Sequence, residues 1–591
     1  MGIRVRSTIL QILTFAFILS STAFSQNFQK IYIEAMKAYD SKDPLKALQI
    51  IDEAVRKYTT VPTYFYVKAL FYLKESFYAN SIGHKYIVDF IYRYYWTITE
   101  REIVDEVVWE SMVEVSAEFG LSSLVEEELK NLLVINPSNA VGLYNLMKLL
   151  FYNKNYEAVV KLGSRFSLVP EDPKTSEILY FMFLSKLYIR DYRNFDELLQ
   201  VILHNYRTEE MLYVVSSIYY QLMEFDKAWS VIAESGIVDP SLYLKLMIVR
   251  KNDSKKISEF LRKYQNKLDE DTRKLGTLIS SKGYDSEELK DLLKRKLLSE
   301  DIESLEPVLL KLALDFPRNS ELYYLALEKE MLSFFSKKLY TRVVNSARKS
   351  KVLSKKATYI LALSLFELRE YRKSLELLEK VKNHFYEASV KIPLVYIELG
   401  NIKEARDKAK GVFAHTLFKG SDVEKYILSQ VFLELGEIQS AERIINSVKN
   451  TNSYYYKVLS ANIHFLKKNY SRSEEILKEL LVESKFNSDI MNSLAYIWAE
   501  QGKNLKLALS FSKLSLVFEE NYHYFDTLAY VYYRIGKIEM AKEYIERSIY
   551  LMEKENKSSR SIYLRAYRIY RELGDDRKSR LMLSKASKAK L

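Results

Sequence analysis

Residues 526–549 read DTLAYVYYRIGKIEMAKEYIERSI. The first half is aromatic enough for a buried helix, but Gly536 ends it and a second amphipathic run follows. Apolar residues recurring three, four and seven positions apart mark both runs as helices with one packing face. Ala529, Ala541 and Ser548 sit on those faces, where larger side chains would fill a core better. Two antiparallel helices joined by a tight turn approach closely only if the residues at their crossing are small. The stretch therefore predicts a helical hairpin, with Gly536 adopting the left-handed conformation that closes its first helix.

The pattern recurs along the chain. Ala461, Ala495 and Ala529 are 34 residues apart, and so are Ala35 and Ala69 near the other end. A second small position follows twelve residues after the first: Ser374, Ala405, Ala441, Ser473, Ala508, Ala541 and Ser579 span 205 residues in six steps. Ala47, Ser81 and Ala228 hold that place in the N-terminal half. The turn between the two is marked by Gly400, Gly436, Gly502, Gly536 and Gly574, and elsewhere by Lys154-Asn155, Lys468-Asn469 or Asp191.

A 34-residue helix-turn-helix unit of this kind resembles the tetratricopeptide repeat family. That family places small residues at the eighth and twentieth positions, a tyrosine-like residue at the eleventh, an aromatic or aliphatic one at the twenty-fourth and Ala at the twenty-seventh. Ala529, Tyr532, Ala541, Ile545 and Ser548 fit in order. So do Ala362, Leu365, Ser374, Leu378 and Val381, then Ser429, Phe432, Ala441, Ile445 and Val448, and at the front Ala35, Ala38, Ala47, Ile51 and Ala54. The resemblance covers about 26–235 and 320–588, and implies an all-α fold, a right-handed superhelical solenoid. Between 100 and 210 the units are degenerate, with Val125, Val159 and Phe195 at the small position, and Pro393 is expected to kink another unit.

The expected organisation is a signal peptide at 1–25, an N-terminal array at 26–239, an irregular helical linker at 240–319 and a C-terminal array with basic capping helices at 320–591. The linker breaks the period and is highly charged; SKGYDSEE within it reads as a turn followed by an N-cap, and a flexible hinge is the alternative. At the N-terminus, Arg4 and Arg6 precede the uncharged run STILQILTFAFILSS, and Ala23-Phe24-Ser25 offers a cleavage site before Gln26. An uncleaved anchor is the alternative. Later, KYIVDFIYRYYWTI at 85–98 carries Lys85, Asp89 and Arg93, so it reads as a buried helix and no span is expected after cleavage. The reading is an exported protein, periplasmic or extracellular.

Composition narrows the chemistry. A chain of 591 residues exceeds one compact core, and 15 Gly with 9 Pro argue for long helices and short turns. Without cysteine there are no disulfides, thiolate metal sites, cysteine nucleophiles or acylated N-termini. The six histidines His84, His204, His384, His415, His464 and His523 form no HExxH pair, and no Walker loop, GxGxxG or GxSxG appears. No catalytic, cofactor or metal site is expected, and no enzyme activity.

What remains is recognition of a protein or peptide partner. In the family the resemblance points to, ligands lie on the first helices, which line a groove. Mapped unit by unit, the outward positions are Tyr455, Asn462, Asn492 and Tyr496, then His523, Asp526, Tyr530, Tyr533 and Arg534. Tyr and Arg anchor interfaces, and Asn can hold an extended backbone. The lysines that accompany such asparagines in carboxylate-clamping members are absent. A rival surface is basic. Net charge is +12, and residues 541–591 hold 14 Lys plus Arg against 7 Asp plus Glu. Arg560, Arg565, Arg568, Arg571, Arg577, Lys578 and Arg580 form this candidate patch for an anionic envelope surface or polymer. Nucleic acid is the least favoured of its partners, and the solvated face of a capping helix is the plain alternative. A third possibility is an accessory subunit that spaces the components of an envelope synthesis or export complex.

Overall fold

The computed structural model describes ten residues between 33 and 53, and then 106–118, 121–165, 173–234, 238–483 and 486–589. The signal peptide and the 85–98 segment lie outside these residues. Among the described residues there are 29 α-helices and one 3-10 turn, with no strand. They are all-α, packed as antiparallel hairpins in tandem. Two compact units result, one of residues 1–154 with 498–591 and the other of 155–497.

Each hairpin is punctuated by local chemistry. Short polar side chains cap first helices: Ser354 accepts from the Ala357 amide, Ser453 from Tyr456 and Asn521 from Tyr524. Ser421 and Glu424 form a reciprocal capping box. At the other end, Gly536 takes φ 85° and lets its own amide and that of Lys537 reach back to Tyr533 and Tyr532. Lys468 adopts φ 61° at the equivalent turn, as do Met223, Lys338 and Arg369 at theirs, so a glycine is not required there. At the third site read from sequence, the left-handed residue is Arg190 rather than Asp191.

The small positions meet as the spacing implies. Ala362, Ala441, Ala461, Ala529 and Ala541 are fully buried. Where one member of a pair is serine, its hydroxyl donates across the crossing to the carbonyl of the other, twelve residues away. The bonds are Ser216 to Ala228 at 2.8 Å, Ser374 to Ala362 at 2.7 Å, Ser429 to Ala441 at 3.2 Å and Ser473 to Ala461 at 2.8 Å. Pro393 is buried inside Tyr386–Glu398, which continues through it as one helix.

The degenerate hairpin of Glu106–Glu118 and Ser122–Ile135 keeps the packing with different residues. Val113 and Val125 fill its two small places, both buried. One turn further along, Ser116 faces Glu128, which is fully buried.

Within the 155–497 unit, five helices occupy the stretch that breaks the period: Pro240–Val249, Ser254–Tyr264, Glu270–Lys282, Glu287–Ser299 and Pro307–Leu314. Ser286 caps the fourth of them, following a turn at Gly283. Their apolar faces belong to one core that also holds Phe183, Phe195 and Tyr219 upstream and Leu322 and Ala326 downstream. The chain then doubles back on itself. Lys337 Nζ donates to the Gln221 carbonyl at 2.8 Å, Arg342 to that of Leu222 at 2.7 Å, and Arg342 also pairs with Glu224.

The other unit is closed by distant segments. Leu505–Phe518 packs on Ser122–Ile135, and Lys513 Nζ donates to the Val134 carbonyl at 3.0 Å.

Candidate functional site

Inside the 155–497 unit, the first helices of two successive hairpins, Asp422–Glu434 and Tyr454–Leu466, lie side by side. Each presents a stripe at helical spacing to the gap between them. One wall is Val423, Tyr426, Ile427, Gln430, Leu433 and Glu434; the other is Tyr455, Val458, Leu459, Asn462, Phe465 and Leu466. These residues enclose a groove of about 890 Å³. The stripe is not the one that packs the hairpins, whose second helices meet Ser429 and Ala461 on the opposite side.

The groove is apolar and open. Tyr455 is 66% exposed and Val423 56%, an arrangement that leaves large apolar surface against water. Tyr426 is held by its hydroxyl, which meets Ser453 Oγ at 2.5 Å and donates to the Asn450 carbonyl at 3.3 Å. Its ring lies 5.9 Å from that of Tyr455.

Glu434 is the single charged residue of the lining. Gln430 Nε2 donates to its Oε1 at 3.0 Å. Although it is exposed, its concave surroundings crowd out water, and this raises its carboxyl above the ordinary range; Glu398 adds repulsion. The basic side chains around the groove are engaged elsewhere. Lys457 pairs with Glu483 at 2.6 Å, Lys467 with Glu442 at 2.7 Å, and Lys425 donates to the Ser447 carbonyl at 2.6 Å.

The structure brings two of the expected outward residues, Tyr455 and Asn462, to this groove. Asn492 and Tyr496 are half-buried on the next first helix, Tyr496 edge-on to Phe465 at 5.6 Å, and Asn492 Oδ1 is buried without a hydrogen bond among the described residues.

The expectation fails for Asp526 and Tyr530, which are buried rather than outward. The helix Arg560–Glu572 lies over Tyr522–Ile535 and covers them. Arg565 Nε approaches Asp526 Oδ1 at 2.9 Å, off the line of a directed hydrogen bond, so the contact is an ion pair. Its guanidinium also sits 4.1 Å from the centre of the Tyr530 ring. Arg565 is thereby removed from the basic patch: it is as buried as its partner. Burial raises the Asp526 carboxyl, with Arg565 drawing it back. Arg534 is partly enclosed, donating to the Glu500 carbonyl at 3.1 Å and the Tyr530 hydroxyl at 3.2 Å, and Tyr533 donates to Glu572. His523 stays exposed, its ring 4.0 Å from that of Tyr522.

The remaining basic residues Arg560, Arg568, Arg571, Arg577, Lys578 and Arg580 are exposed. Lys578 is neutralised by Glu546 at 2.9 Å. No group of acidic and histidine side chains suited to a metal occurs among the described residues, and none of their helices is long and apolar enough to cross a membrane.

Sequence reading missed the facing wall, Tyr426, Gln430 and Glu434. Their signal was present: they stand at the register of Val458, Asn462 and Leu466, one repeat earlier.

No family model and no curated relative matches the chain. Solved structures with similar folds include the Cut9-Hcn1 hetero-tetramer of APC/C, at 13% identity over 83% of this chain and 94% of that one, TM-score 0.34. A tetratricopeptide repeat protein from Parabacteroides merdae is 13% identical over 45% of this chain and 98% of its own, TM-score 0.32. Naa15/Naa10 bound to HypK-THB is 10% identical, covering 95% and 100%, TM-score 0.31.

Proposed function

We propose that the chain is a non-enzymatic scaffold that holds a segment of a partner protein in the groove between Asp422–Glu434 and Tyr454–Leu466. The observation that carries this is the exposed apolar stripe on two adjacent first helices, which line an open groove of about 890 Å³. A preformed groove loses little entropy on binding, and exposed aromatic rings beside it supply anchors. The N-terminal residues 1–25 support export, so the partner belongs to the cell envelope or beyond it, where the chain serves as a docking subunit.

A photoreactive benzoylphenylalanine placed at 455 in living cells tests this, with position 403 on a second helix as the control. A discrete protein adduct at 455 that is missing at 403 supports the groove. Equal adducts at both, or none at 455, would overturn it.

A second reading uses the exposed cluster Arg560, Arg568, Arg571, Arg577 and Arg580 against an anionic polymer or lipid surface. Binding of that kind weakens steeply with salt, whereas a groove-held peptide changes little.

A further inference from the structure

The groove's chemistry points to one kind of occupant. Glu367, Glu398 and Glu434 are the last residues of three successive first helices, Lys355–Glu367, Tyr386–Glu398 and Asp422–Glu434. All three are exposed and share one register position, so they form a column leading to the groove. A carboxylate at a helix C-terminus is opposed by the negative end of the helix dipole. The column is therefore placed where the fold itself disfavours it.

Nearby cations do not relieve it at the groove end. Lys457, Lys467 and Lys425 are bound to Glu483, Glu442 and the Ser447 carbonyl. Among the described residues, the hydrogen bond to the Glu434 carboxylate comes from the neutral Gln430. The rest of the lining is uncharged: Phe465 and Leu466 stand at the end of the groove that holds this acid, Asn462 presents an amide one turn away, and Tyr455 and Val423 present apolar surface at the opposite end, about 16 Å along the helices.

Resting on the groove reading above, we infer that the occupant is an extended peptide segment carrying a lysine or arginine flanked by aliphatic or aromatic side chains. Its cation meets Glu434, with Glu398 behind it. An adjacent apolar side chain lies against Leu466, another about five residues along the extended segment lies against Tyr455, and the backbone between them passes Asn462. The raised Glu434 carboxyl agrees with this, since a cation there would lower it again.

The test pans a phage library of random decapeptides against the full chain. The net charge of +12 would by itself enrich acidic peptides, so selection of basic ones runs against the overall field. Peptides that depend on Tyr455, lost on Tyr455→Ala, are expected to carry one Lys or Arg within an apolar stretch. Synthetic versions should bind Glu434→Gln about fivefold to tenfold more weakly, and panning Glu434→Lys should remove the basic preference. Tyr455-dependent peptides without a basic residue, or with a basic preference unchanged by Glu434→Lys, would refute the charge assignment and leave the groove standing. If no enriched peptide depends on Tyr455, the groove reading itself falls.

Discussion

Ser116 Oγ donates to Glu128 Oε1 at 2.9 Å in the hairpin place where Tyr532 and Tyr544 stack elsewhere, their rings 5.4 Å apart. A carboxylic acid thus replaces an aromatic contact inside a helix crossing. Its second oxygen, Oε2, is buried and has no hydrogen bond among the described residues. Burial pushes the acid up to about 8, with Ser116 pulling the other way.

An acid raised this far is protonated in the fold at neutral pH and ionised when unfolded. The folded state then binds the extra proton, so stability is fully present below about 4.5 and is lost as pH rises toward about 8. The loss is on the order of a few kcal/mol. Denaturant midpoints of the wild type and Glu128→Gln, measured from pH 5 to 9, should diverge with rising pH. Parallel curves would contradict the assignment.

The Asp526–Arg565 pair should behave as structure and not as binding surface. Asp526→Ala is expected to lower stability by about 3–5 kcal/mol, because it removes a buried counter-charge. Joint replacement by Asp526→Leu and Arg565→Met should cost clearly less than the sum of the single changes. A thermal-melt double-mutant cycle reads the coupling, and additivity would count against it.

The left-handed turns offer a test of opposite sign. Lys468→Gly relieves a strained φ of 61° and should stabilise by roughly 0.5–1 kcal/mol. Gly536→Ala at φ 85° should destabilise by about 1–2 kcal/mol. Urea midpoints of the two variants should move in opposite directions.

At the helix crossings, size matters more than polarity. Ser473→Ala removes the 2.8 Å bond to the Ala461 carbonyl and should cost about 1 kcal/mol or less, since alanine holds this position in neighbouring hairpins. Ala461→Leu should cost about 3 kcal/mol or more by forcing the helices apart. Circular dichroism melts would separate the two.

The hairpins were legible because their signal is local: small residues twelve apart and a turn between them depend on one crossing. The groove was half legible, since Tyr455 and Asn462 follow from the register, yet the facing wall required knowing which neighbouring unit leaves its stripe bare. Asp526, Tyr530 and Arg565 misled for a related reason. A polar residue on a first helix reads as outward until a later helix, here Arg560–Glu572, is known to lie across it. Glu128 was hidden because a charged residue on a helix ordinarily reads as solvated. Contacts between segments far apart, such as Arg342 with Leu222, leave no periodic trace at all.

The Lys513–Val134 contact bridges 379 residues within a single compact unit. A helix made early in synthesis must therefore wait for one made late. At the usual pace of translation, about 5–20 residues per second, that wait is about 20–75 s. Throughout it, the helix carrying Leu129, Leu132 and Leu133 lacks its Leu505–Phe518 neighbour. The buried carboxyl beside them acquires a biosynthetic consequence: a Ser122–Ile135 segment bearing Glu128 is less sticky while it waits than one with a leucine in that place. The native surroundings of the Ser122–Ile135 helix are thus complete only once residues 505–518 exist.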